Sequence, residues 1–294
     1  GAGTVSSGTD SGETLDMTTN SSLPRSIFWN DDGTVLYVID NQATATIDIY
    51  DDGAGGICGT AYDVSSCTYN TNVSIQTNSD TPHSAVFGDS GNRLYIAEDV
   101  ADRVDEYQVG DGTTNSYDIS AGLTYTTTTS FDLGNPHGVA FNSDGTIMIT
   151  VDYATDTLRQ YSLSTAWDVS TAANQYNSPT LQASDPHDLH ISADGKRVFI
   201  VFGALTSDPI VEYQLETAWD VSTITPVGQL FPTAAVPTAT AVQFFAFNPT
   251  ETQMTMVDTT LDDLFTIDLT APTLGAQADV HNNVALVGRD DASG

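Results

Sequence analysis

A histidine followed fifteen positions later by a carboxylate is a spacing that could do chemistry, and this chain holds it twice: His83 leads to Glu98, and His137 leads to Asp152. Arg25 stands in the same relation to Asp40 and Gln243 to Asp258, while His187 leads to Phe202. An imidazole beside a carboxylate supplies a general base and the group that orients it. Three imidazoles supply a nitrogen set for a transition metal. The candidate ligand-binding residues are therefore Arg25, His83, His137, His187 and Gln243, with Asp40, Glu98, Asp152 and Asp258. A second candidate site is Asp188 with His190, in the segment HDLH.

What positions these residues is a repeat. PRSIFWNDDGTVLYVID begins at Pro24, PHSAVFGDSGNRLYIAE at Pro82, PHGVAFNSDGTIMITVD at Pro136 and PHDLHISADGKRVFIVF at Pro186. A divergent copy, VQFFAFNPTETQMTMVD, begins at Val242, so successive starts lie 50 to 58 residues apart. One such unit cannot bury its own apolar face, and a period of this length is the mark of a propeller or solenoid.

Within the third copy, GVAFN is a short apolar strand and Ser143-Asp144-Gly145 a tight hairpin, where glycine accepts positive φ. TIMITVD returns, TLRQYSL alternates apolar and polar residues, and QYNSPTLQA is a polar outer segment. Four strands of decreasing burial make one propeller blade. A recurring turn follows the third strand: Tyr62-Asp63, Tyr117-Asp118, Trp167-Asp168 and Trp219-Asp220. Its aspartate suits an Asx turn, and its aromatic is expected at a blade boundary.

The pattern predicts an all-β, five-bladed propeller of four-stranded antiparallel blades over residues 1–270, closed by an N-terminal outer strand within GETLDMTTN. Residues 271–294 are expected to form an extra strand or a tail. The start of a first strand lies beside the end of its hairpin partner. Each fifteen-residue pair should then meet, and all five should ring one mouth of the channel. On that reading the pairs stitch strand to strand, and a five-fold ring holds the imidazoles too far apart to share an ion, so no metal or other cofactor is expected. Calcium or another divalent ion is the exception to consider, at the acidic hairpin turns, which lack the twelve-residue EF-hand loop. His190 and Asp188 break the repeat, which makes blade four the place for a grafted site.

The charge excludes several partners. Asp and Glu number 39 against 7 Lys and Arg, a net charge of −32, with Lys196 the sole lysine. Such a surface repels nucleic acid. It suits high salt or a marine medium. No apolar run approaches the roughly 18 residues of a membrane helix, so no membrane insertion is expected. The chain starts without Met or a signal-like segment, consistent with a mature or excised form. Cys58 and Cys67 are spaced for one disulfide, which implies an oxidising compartment. Asn20 and Asn72 match the N-glycosylation acceptor pattern. No G-x-S-x-G, Walker loop, H-E-x-x-H or C-x-x-C occurs.

PHGVAFNSDGTIMITVD and PHDLHISADGKRVFIV resemble the YVTN-type β-propeller repeats of surface-layer proteins and their lactonase-type relatives. QYSLSTAWDVSTA and EYQLETAWDVSTI are similar to repeats of extracellular and phage structural proteins. The resemblance covers about residues 24–270, with LYVID, LYIAE and IMITVD in place of the YVTN tetrapeptide. It implies an extracellular, cell-surface or virion location and a structural or adhesive module with protein or glycan partners, not an enzyme. The alternatives are a lactonase- or hydrolase-like propeller with a channel site, and a multivalent lectin.

Overall fold

The computed structural model describes residues 8–42, 44–129, 133–203, 209–230 and 232–269. Twenty strands form five sheets of four. The first strand, β1 (Gly8–Asp16), belongs to the last blade. Blade one holds β2 (Pro24–Trp29), β3 (Leu36–Asn41), β4 (Ala45–Asp51) and β5 (Thr68–Ser74). Blade two holds β6 (Pro82–Gly88), β7 (Arg93–Glu98), β8 (Arg103–Val109) and β9 (Leu123–Thr128). Blade three holds β10 (Pro136–Phe141), β11 (Ile147–Asp152), β12 (Thr157–Leu163) and β13 (Ala172–Asn177). Blade four holds β14 (Pro186–Ile191), β15 (Arg197–Phe202), β16 (Ile210–Leu215) and β17 (Ile224–Leu230). Blade five holds β18 (Val242–Phe247), β19 (Gln253–Asp258) and β20 (Asp263–Leu269), and β1 pairs antiparallel with β20 to complete it. The inner strands β2, β6, β10, β14 and β18 touch in sequence, and β18 touches β2, so the ring is closed. The expected tail, 271–294, lies outside the described residues.

Burial follows the strand order. The second strand of each blade is almost wholly buried, whereas the outer strands β5, β9, β13 and β17 are mostly exposed or half-buried. The cores lie between blades: Tyr37 and Ile39 of blade one pack with Leu94, Ile96 and Tyr107 of blade two.

The repeated turn explains why its residues recur. Gly33, Gly91, Gly145 and Gly195 all have φ near +70 to +80°. A Cβ on them would lie 2.1–2.3 Å from the ring of Tyr62, Tyr117, Trp167 or Trp219. Each aromatic sits flat on a hairpin glycine, and its amide donates to that glycine's carbonyl at 2.7–2.9 Å. Tyr37 Oη and Tyr95 Oη donate across blade boundaries to the carbonyls of Tyr117 and Trp167. The aspartates Asp63, Asp118, Asp168 and Asp220 accept from the amide two residues on, as an Asx turn requires. Cys58 and Cys67 form a disulfide in the loop between β4 and β5.

Candidate functional site

The residue after each repeat's first position has no ladder partner. Pro136 pairs with Asp152 and Gly138 with Val151, which leaves His137 as a bulge residue. The same shift isolates Arg25, His83, His187 and Gln243. A bulge re-aims its side chain, and here it corrects the expected stitching pairs. The carboxylates bond elsewhere. Asp40 accepts from the amides of Ser22 and Leu23 at 3.3 and 3.1 Å. Glu98 accepts from Thr81 N at 3.0 Å. Asp152 pairs with Arg159 and accepts from Ala154 N. Asp258 accepts from the amides of Thr240, Thr260 and Leu261. They cap loops rather than orient imidazoles.

Freed from the ladder, the histidines converge. Ligating nitrogens of His83, His137 and His187 lie within 4.8 Å of one another. His83 and His137 stack with centroids 3.6 Å apart, and His83 lies 5.7 Å from His187 across the axis. The expectation that a five-fold ring would hold these rings apart is thereby corrected. His83 Nδ1 lies 3.0 Å from the carbonyl of His137. His137 Nε2 lies 3.6 Å from Asp99, a neighbour that sequence reasoning missed, as it did Tyr153, stacked on His137 at 4.3 Å. Burial holds all three imidazoles neutral. It pushes His137 down to about 3 and His187 to about 4, and His83 well below its ordinary value, with the Arg25 cation adding to the effect on each. Gln243 takes the fifth place, half-buried.

One step along the same strands, Ser84 Oγ of blade two donates to Asp188 Oδ1 of blade four at 3.3 Å. These blades are not neighbours, so the bond crosses the channel and floors the cavity beyond it. Asp188 also accepts from the amides of Leu189 and Phe245. It is 4% exposed, and burial raises its carboxyl to about 7.

From that floor a cavity of about 380 Å³ opens toward the hairpin end. Phe28, Trp29, Phe87 and Phe247 give it aromatic walls, and Asp31 and Glu251 stand on its lining. His190 also lines it, at the position that Phe28, Val86, Ala140 and Ala246 hold in the other blades. Its Nε2 lies 3.3 Å from Glu251 Oε1, and Arg197 Nη1 donates to Glu251 Oε2 at 2.7 Å. Arg197 Nε bonds Glu212 at 2.9 Å. The structure thus brings Asp188 and His190 to one cavity, while the first-position histidines and Arg25 gather at the other end. Glu251 was not legible as a partner because it comes from the hairpin of the divergent fifth copy.

No protein-family model matches the chain, and no curated protein matches it. Solved structures share its fold. A protein from Lactobacillus plantarum is 16% identical over 80% of this chain, with a TM-score of 0.48. One from Bacteroides uniformis, named "a putative 6-phosphogluconolactonase", is 14% identical over 86%, at 0.49. Pseudomonas aeruginosa periplasmic gluconolactonase is 15% identical over 82%, at 0.45. The chain spans 63%, 69% and 64% of those three proteins' lengths. Likeness at this identity shows the fold alone. The YVTN-type resemblance reduces to that propeller fold. Two of these proteins bear lactonase names. The expectation of a non-enzymatic adhesive module is corrected on the channel itself, where His190 beside Glu251 and the buried Asp188 face one cavity.

Proposed function

We propose that the chain is a propeller hydrolase that opens a small uncharged lactone or ester in the wide cavity. The observation that carries this reading is His190, held by Glu251 and facing the same space as Asp188 and Ser84. Glu251 accepts from Nε2–H, which leaves Nδ1 as the nitrogen that takes a proton from water. That water adds to the carbonyl carbon, the ring C–O bond breaks, and the released alkoxide regains a proton to give the hydroxy acid. His190 and Asp188 are two apart on one strand, so they share a face with about 7 Å between their Cα atoms. That separation admits a substrate carbonyl between them, with Ser84 and Asp188 as hydrogen-bonding partners. A volume of about 380 Å³ suits a monosaccharide-sized ligand.

Charge sets the substrate class. Asp31 and Glu251 lie on the lining and the chain carries −32, so anionic esters are repelled. The disulfide supports export to an oxidising compartment. The test is hydrolysis of aldonolactones and neutral aryl esters by wild type, His190→Ala and Glu251→Gln. Turnover lost in both variants at unchanged secondary structure supports the reading. Turnover equal to wild type in His190→Ala, or none with any substrate in wild type, refutes it.

A further inference from the structure

At the histidine end of the channel three imidazoles converge as a donor set. We propose that His83, His137 and His187 bind one transition-metal ion of the zinc and cobalt class, its fourth position left to water or another small donor. The ion clasps blades two, three and four at the end of the channel opposite the cavity.

Each histidine comes from a different inner strand, β6, β10 or β14, and Asp99 follows β7. His83 is 3% exposed and His137 5%, so their nitrogens are shielded from bulk water. The carbonyl of His137 accepts from His83 Nδ1–H, which fixes the tautomer and leaves the Nε2 lone pair free for a metal. Nδ1 of His187 is buried without a partner, whereas the His137 imidazole faces the backbone carbonyl of Pro186. An orphaned buried nitrogen beside two further imidazoles is unusual in a folded interior and points to an absent ligand. Room for the third ring is reserved by Gly203, where a Cβ would lie 2.3 Å from His187 Nε2.

The donor chemistry selects the ion. Imidazole nitrogen suits zinc, cobalt, nickel and copper, whereas calcium and magnesium want oxygen. The three nitrogens form a tripod that leaves a fourth tetrahedral position for water, and Asp99, 3.6 Å from His137 Nε2, stands beside the cluster as a neighbouring carboxylate. Binding requires the 3.6 Å stack of His83 and His137 to splay, so that nitrogens now within 4.8 Å close to about 3.3 Å, the separation set by bonds of about 2 Å. The charges facing the cluster are mixed. Arg25 opposes a cation, while Asp99, Asp185 beside His187, and the net charge of −32 favour one.

The experiment uses chelator-stripped full chain, titrated with Zn²⁺ by calorimetry and with Co²⁺ by visible absorption. One ion per chain, a raised melting temperature and the intense d–d bands of four-coordinate cobalt are expected. His187→Ala, at the half-exposed ligand, should weaken binding more than about 100-fold, beyond the loss typical of an outer-shell partner. Arg25→Gln should tighten it, because a like charge is removed. Absence of stoichiometric Zn²⁺ and Co²⁺ binding to wild type overturns the proposal. So does wild-type affinity retained in His187→Ala, or stabilisation by inorganic phosphate that is lost in Arg25→Gln, which would make this an anion site. The readout is metal stoichiometry, so a failed hydrolase reading leaves it intact.

Discussion

The two ends of the channel are built from the same five strands by opposite means. At the first-position end, the repeat is kept: a bulge after each leading residue turns Arg25, His83, His137 and His187 toward the axis. At the hairpin end, the repeat is broken: His190 replaces a Phe, Val or Ala, and Glu251 reaches it from the divergent fifth copy. Three near-equivalent groups suit a centrosymmetric object such as an ion. An asymmetric substrate needs groups of different kinds on different sides, and only the broken end offers them.

The comparison breaks most visibly through activity. His190→Ala should lower turnover of a neutral lactone by about 100- to 1,000-fold, the usual contribution of a positioned base, in steady-state assays. Removal of zinc from the opposite end should leave a far smaller effect on the same assay. Similar losses from both would mean that the ends act as one site.

Next in size is a change in the scaffold that serves both ends. Gly145→Ala places a Cβ 2.2 Å from the Trp167 ring at a φ of +69°. It should cost about 2–4 kcal/mol in denaturant unfolding, from left-handed strain plus overpacking. Gly203→Ala is narrower. It pushes the His187 ring aside, with an expected cost of about 1–3 kcal/mol, while lactone turnover by the folded protein stays near wild type.

The smallest expected effect calibrates the electrostatics away from both ends. Asp48 is buried against Ser21 and Tyr50, and burial raises its carboxyl to about 6. The fold therefore favours the protonated form, and that contribution fades as pH rises from the ordinary value through 6. Asp48→Asn should match wild type near pH 4 and exceed it by about 1–3 kcal/mol at pH 8, in urea unfolding at both.

The fold was legible because the same hairpin, glycine and aromatic turn recur, and each has a local cause. Gly33 and its counterparts must bend under Tyr62, Tyr117, Trp167 and Trp219. The candidate sites were legible only in part. A fifteen-residue offset gives strand register, but a bulge of one residue changes which side chain meets which. His137 therefore faced His83 rather than Asp152. Five leading positions at the same offset were a usable signal, since a bulge repeated in every blade aims every such side chain alike. His190 stood out as a break in the repeat, yet Glu251 could not be assigned to it across sixty-one residues of sequence.

Ring closure carries a consequence for how this protein is made. β1 and β20 pair although Gly8 and Leu269 stand at opposite ends of the described chain. The first strand of the ring to be synthesised is thus among the last to find its partner. Until then blade five and β1 each present an open edge, a template for pairing with another nascent copy. Crowded synthesis should favour strand exchange between neighbours, and the exposed, polar face of β1 helps keep that waiting edge in solution.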